Sequence, residues 1–340
     1  MLTIIEKYMP DVYHELMKRY KLLSMIGQYQ PIGRRTLSKK LAMSETILRK
    51  EIEVLKAQKL IAIHQNGMSL TAKGEETISE LTLLIREKES LEVSEKELAD
   101  VLGIEKCIIV PGNVDTDFSA FELLGKKASH LVEHSIAEGA HTVAVSGGST
   151  LKMVASQMEE TPQVADDLLF VSARGGMNDE PSLEANIIAQ TMAEKTHGKS
   201  RSLYAPNYVQ PQLYASLVNI PEIYQTLQLV EKASIVLYSI GEPIQMAKRR
   251  RLPQEVIDYL IEKKVVAEAF GEFINEKGEV IYKLSNVGLQ FEALASVPHV
   301  IIVSGGIKKA QAIKAHMKLS PAHAWLVTDE AAAQWILKGE

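Results

Sequence analysis

A chain of 340 residues has room for two domains, and 46% hydrophobic with 24% charged residues excludes wholesale disorder. No apolar run reaches the roughly 18 residues of a membrane-spanning helix. The single cysteine, Cys107, excludes an intrachain disulfide and a thiolate metal cluster, so a cytoplasmic protein is expected. The formal charge of −5 conceals an asymmetry: residues 1–75 hold 13 Lys and Arg against 7 Asp and Glu, and the remainder holds 25 against 36. A basic end on an acidic body predicts that the first part meets a polyanion.

The periodicity predicts a helix over Val12–Tyr29 with Leu16, Tyr20, Leu23 and Ile26 or Gly27 near one face, broken by Pro31 and Gly33. A short helix follows over Arg35–Leu41. Ser44 is placed to cap a further helix running to about Lys59, whose inward stripe is Leu48, Ile52 and Leu55. Two helices joined by a tight turn, the second basic on its free face, meet the demands of a helix-turn-helix. Alternating residues around Asn66-Gly67 predict a hairpin turning on those two positions, and a hairpin there reads as a wing. Arg34, Arg35, Lys39, Lys40, Arg49 and Lys50 are the candidate phosphate or guanine contacts, with Thr46 near base edges. The expected partner of residues 1–75 is double-stranded DNA. Residues 76–102 read as a connecting helix followed by a second short one at Glu97–Leu102. An apolar stripe there needs cover, which predicts self-association.

Residues 103–340 repeat one theme: an apolar β-branched run, a glycine or small residue, then a helix. The runs are Cys107–Val110, Thr142–Val145, Leu168–Val171, Ile235–Ile240, Val300–Val303 and Trp325–Val327. Nearly continuous apolar strands alternating with helices predict an α/β domain with a doubly wound parallel sheet. Ligands in such sheets sit beyond the carboxyl ends of the strands. Two loops there read as anion nests: Ser146–Thr150, and Ser304–Gly306 with Lys308 and Lys309 behind it. Arg174, before Gly175-Gly176, supplies a guanidinium that can grip a phosphate with two prongs. One member of Lys248–Arg251 can turn inward to a phosphate, and Glu268 can accept from sugar hydroxyls. No complete dinucleotide fingerprint or P-loop is present.

In order along the chain, PIGRRTLSKKLAMSETILRKEIEVLKAQKLI, NGMSLT, AVSGGSTL, LLFVSARGG, MAKRR, AEAFG and LVTDEAAA resemble the SorC/DeoR-type sugar-responsive regulators of bacteria. Within them, the resemblance is to the branch that controls glycolytic genes in Gram-positive organisms. It implies a winged helix-turn-helix repressor with an effector domain of sugar-phosphate isomerase type, assembled as a homodimer or homotetramer. It implies no cofactor beyond a phosphorylated sugar effector, first of all fructose 1,6-bisphosphate. By motif, the phosphate contacts would be Gly147, Gly148, Ser149 and Thr150, the cations Arg174, Arg249 and Lys309, and the hydroxyl acceptor Glu268. Glu184 stands where the family carries Gln, and Ser149 where it carries Thr. The alternative is an isomerase or deaminase built on the same sheet, with Glu268 as its base. That reading leaves the basic N-terminal domain without a role.

Overall fold

The computed structural model describes residues 2–159, 168–176, 180–206 and 209–339. The chain divides into two compact units between Val93 and Ser94. The first begins with helices α1 (Leu2–Tyr8), α2 (Pro10–Tyr29), α3 (Arg34–Leu41) and α4 (Glu45–Ala57). A two-stranded sheet, β1 (Ile61–His64) with β2 (Gly67–Leu70), leads into α5 (Ala72–Leu102). Its core is Leu22, Leu23, Ile26, Leu37, Leu48, Ile52, Leu55 and Met68. The predicted stripe of α4 is buried as expected, and Ser44 caps that helix by accepting from the Ile47 N–H. On α2 the buried positions are Leu22, Leu23 and Ile26, while Leu16 and Tyr20 are only half-buried.

Two expectations are corrected in this unit. The hairpin does not turn on Asn66-Gly67: His64 pairs with Gly67, so Gln65-Asn66 form the loop and only Gly67 has a positive φ, +139°. The cause is a second pairing of the wing. Met68 exchanges both backbone hydrogen bonds with Ile32, at 2.9 and 3.0 Å, and a Cβ on Gly67 would lie 2.8 Å from the Ile32 nitrogen. Nor do residues 76–102 form two helices. After Gly74, no glycine or proline interrupts the run of Glu, Leu and Lys, and α5 continues unbroken to Leu102, with the unit boundary inside it.

The second unit starts with β3 (Lys106–Val110), α6 (Phe118–Ala137), β4 (Thr142–Val145), α7 (Ser149–Gln157), β5 (Leu169–Ser172), α8 (Ala185–Thr196) and β6 (Lys199–Arg201). Then come α9 (Pro211–Val218), α10 (Pro221–Glu231), β7 (Ile235–Tyr238), α11 (Pro243–Arg249), α12 (Gln254–Glu262), β8 (Val265–Ala269), β9 (Glu272–Asn275) and β10 (Val280–Lys283). The chain finishes with β11 (His299–Val303), α13 (Ile307–Met317), β12 (Trp325–Asp329) and α14 (Glu330–Lys338). Seven strands form one parallel sheet in the order β3-β12-β11-β7-β4-β5-β6, and helices flank it. Successive residues of β4, β7, β11 and β12 are buried, as strands covered on both faces require. From β4 the chain winds outward through β5 and β6. It returns at β7 and winds the other way through β11 and β12, so the switch point lies between β4 and β7. The polar edge strand β6 and the antiparallel sheet β10-β9-β8 carry no comparable apolar signal in the sequence. Among the described residues, no helix is long and apolar enough to cross a membrane.

Candidate functional sites

A cavity of about 180 Å³ opens at this switch point, lined by the loops after β4, β5 and β7, the end of α11, the β8–β9 turn and Lys309 of α13. Eight of the nine predicted effector contacts line it: Gly147, Gly148, Ser149, Thr150, Arg174, Arg249, Glu268 and Lys309. Glu184 does not. It caps α8 beside a neighbouring cavity, with its carboxylate against Gly176.

The loop after β4 is built for an anion. Gly148 caps α7 with φ +118°, a left-handed conformation that suits glycine, and no side chain caps the helix. The Gly148 N–H is spent on the Leu183 carbonyl at 2.9 Å, which leaves the first-turn N–H groups of Ser149 and Thr150 to a ligand. Gly147 must be glycine for a different reason: a Cβ there would lie 2.5 Å from the Leu183 oxygen and 2.7 Å from Nη2 of Arg174.

The second predicted nest is closed. The Gly306 N–H donates to Asp329 Oδ1 at 2.9 Å, and the Lys308 N–H donates to Asp115 Oδ2 at 3.1 Å. Asp329 is fully buried and also accepts from the Val114 and Ala332 N–H groups. The protein's own carboxylates therefore occupy the start of α13, and what that segment contributes to the cavity is the side chain of Lys309.

Charge in the cavity is unbalanced. Arg174, Arg249, Arg250 and Lys309 face Glu242 and Glu268, and Glu242 is engaged in capping α11 through the Ile244 and Gln245 N–H groups. Burial, then the like charge of Arg250, lowers the Arg174 pKa to about 10, so the guanidinium stays charged at neutral pH. Loss of water also pulls the Lys309 ammonium below its ordinary value, against the raising influence of Asp115. Glu268 accepts from Arg250 Nη2 at 2.8 Å and from the Gly271 N–H at 2.7 Å, both on Oε1. The turn that presents it is tight: Ala269 pairs with Glu272, and Phe270 and Gly271 between them have φ of +51° and +83°. Phe270 lies over Tyr238, ring centroids 4.7 Å apart, and both line the cavity. Arg250, Phe270 and the loop Ser239–Glu242 were not singled out from sequence. Their only signals were the basic run and the apolar strand ending at Ile240.

In the first unit, all seven predicted DNA contacts are exposed: Arg34, Arg35, Lys39 and Lys40 on α3, and Thr46, Arg49 and Lys50 on α4. Lys40 lies 3.7 Å from the Tyr29 ring centroid, a cation–π contact that orients it. Behind this face, Glu51 of α4 is buried against α2, paired with Lys18 at 2.7 Å and Arg19 at 3.0 Å; Glu15 joins the same two cations. Burial works against the Glu51 charge, but hydrogen bonds from Lys18 and Arg19 outweigh it and hold the carboxyl below its usual range.

Comparison with known proteins assigns a family to each part of the chain. The CggR N-terminal DNA binding domain family matches residues 16–85, and the Sugar-bind family, a sugar-binding domain, matches residues 87–338. The chain is 38% identical over 336 residues to the central glycolytic genes regulator of Bacillus subtilis, covering 98% of each chain. It is 36% identical over 340 residues to the protein of that name from Priestia megaterium, covering 99% of this chain and 98% of that one. A crystal structure of a SorC family transcriptional regulator from Enterococcus faecalis aligns with TM-score 0.67 and 40% identity, covering 72% of this chain and 99% of that one. The full-length sorbitol operon regulator SorC of Klebsiella pneumoniae, 14% identical, shares the fold over 95% of this chain and 98% of its own, at TM-score 0.65. These relatives are transcriptional regulators and not enzymes, so the isomerase alternative is set aside. The chain belongs to the family of the central glycolytic genes regulators: it is a transcriptional regulator that joins a DNA-binding domain to a sugar-binding domain.

Proposed function

We propose that this protein represses glycolytic genes by binding operator DNA through α3, α4 and the β1–β2 wing, and that a phosphorylated sugar in the switch-point cavity lowers its operator affinity. The observation that carries the reading is the cation-rich cavity at the start of α7, set in an acidic domain of a chain whose other domain binds DNA. Fructose 1,6-bisphosphate is the first candidate effector. Its phosphates suit a lining that holds the α7 N-terminus with Arg174 against Gly147, together with the cations Arg249, Arg250 and Lys309, and Glu268 can accept from a sugar hydroxyl. In the loop Gly147-Gly148-Ser149-Thr150 the two glycines let the backbone approach the phosphate and Ser149 and Thr150 donate to it, with Arg174, Arg249 and Lys309 as cations. Glu184, outside the lining, acts through its place at the α8 start near Arg174. The repressor acts in the cytoplasm as a homodimer or homotetramer, which suits an operator with two half-sites.

A ligand that binds only the folded state raises the melting temperature increasingly with its concentration. Melting the full chain against fructose 1,6-bisphosphate, other sugar phosphates, fructose and inorganic phosphate checks the effector class. The expected result is the largest rise with the bisphosphate and none with unphosphorylated fructose. Equal melting curves with every phosphorylated sugar and with none would refute the proposal.

A further inference from the structure

The free face of α4 is polar with one exception. Glu45, Thr46, Arg49, Lys50, Glu53 and Lys56 are exposed along this helix, and Ile47 stands among them at 47% exposure. The other large apolar side chains of α4 are accounted for: Leu48, Ile52 and Leu55 are buried, and Val54 is half-buried. Ile47 sits in the first turn, where its N–H donates to Oγ of the capping Ser44 at 3.4 Å. One turn on, its neighbours are the exposed Lys50 and the buried Glu51, which Lys18 and Arg19 hold. At about 100° per residue, Ile47 therefore flanks the free face beside Thr46 and Lys50. Neither the core nor helix propensity asks for isoleucine at this position. A single exposed apolar residue is ordinary on most surfaces. This one lies at the start of the second helix of a helix-turn-helix, the part that reaches base edges in that motif.

We propose that Ile47 is a specificity-determining residue, packing against the C5-methyl group of a thymine in the operator's major groove while Arg49 and Lys50 hold the flanking phosphates. This rests on the reading of α4 as an operator-binding helix and names a base that it selects. Contacts to phosphate position a protein on DNA and carry no sequence information, whereas the thymine methyl is the apolar group that the major groove displays. A β-branched side chain in a helix keeps essentially one χ1 rotamer, so Ile47 presents its methyl groups in a fixed direction and loses little freedom on docking.

The test uses the full chain and a duplex that it enriches from a random-sequence pool. Each thymine of that duplex is replaced in turn by uracil, which keeps the base pairing and removes only the methyl group. Affinity at fixed salt is read by anisotropy for wild type and I47A, with an unrelated duplex as reference and sedimentation to follow assembly. Alanine is the better helix former and the position is exposed, so I47A is expected to melt like wild type. Wild type is expected to lose about three- to fivefold at one thymine of a half-site, the worth of one buried methyl group, and I47A to lose nothing there. On the unrelated duplex the two proteins are expected to bind alike. Equal losses in both proteins at every thymine, or no loss in wild type at any, overturn the thymine contact and leave operator binding standing. A weakening by I47A that is the same on both duplexes, or a change in assembly, also overturns it, since either marks a role outside base reading. If the pool yields no enriched duplex, the operator reading fails and the thymine contact fails with it.

Discussion

Arg174 combines a charge that the cavity needs with an environment that strains it. Its guanidinium lies against Gly147 and feels the like charge of Arg250, and burial lowers its pKa to about 10. The group is a base with a depressed pKa, so it is charged below about pH 10 and neutral above. Lys309 in the same cavity is also a base whose pKa burial lowers, so effector affinity should fall as rising pH takes protons from these two cations, which titration from neutral to alkaline pH checks. Arg174→Ala should abolish the effector response and leave operator affinity nearly intact, as read by anisotropy of a labelled operator. Arg49, exposed on α4, gives the converse case. Arg49→Ala should weaken operator binding and, if it contacts phosphate, reduce the salt slope by about one, with effector affinity unchanged. At this scale Gly147, Gly148, Arg174 and Lys309 were legible because each follows an apolar strand run whose end marks the ligand side of the sheet. Arg250 was not. Adjacent residues at a helix end point about 100° apart, and four basic residues in a row give no sign of which one faces inward.

Elements are held in place by contacts that composition does not reveal. Helix α4 is fixed to α2 by the buried Glu51 between Lys18 and Arg19. Because the Glu51 carboxyl is held below its usual value of 4.5, this pairing stabilises the fold fully above about pH 4.5 and is lost as pH falls below it. Glu51→Gln should cost about 1.5–3 kcal/mol at neutral pH, the worth of hydrogen bonds to a charged group, and flatten the acid limb of the stability curve. Chemical denaturation from pH 3 to 7 measures both. In the wing, Gly67→Ala places a Cβ against the Ile32 backbone at φ +139°, and should cost more than about 1 kcal/mol together with operator affinity. The long strands and helices were readable from their periodicity, and most boundaries fall within a residue or two. The hairpin turn was misplaced by one position because the Ile32 pairing, not the local turn preference, sets the register. The nest at Ser304–Gly306 resembles the working one in sequence. It is closed by Asp115, nearly two hundred residues away in the chain, and a local motif holds no trace of such a partner.

For the molecule as a whole, the proposal is one of coupled sites. If the effector binds better to an arrangement that holds operator poorly, it must weaken DNA binding, and operator must weaken effector binding by the same factor. Typical couplings of about 1–3 kcal/mol correspond to factors of roughly 5–150. The division into a basic reading unit and an acidic cavity unit was visible in the distribution of charge along the chain; the course of α5 across the unit boundary was not, because no single residue marks it. The most direct test measures operator affinity at fixed salt across a series of fructose 1,6-bisphosphate concentrations, with bisphosphate affinity measured in the presence and absence of operator. Both dissociation constants are expected to rise, by equal factors. Operator affinity that does not change while the cavity fills with bisphosphate would contradict it.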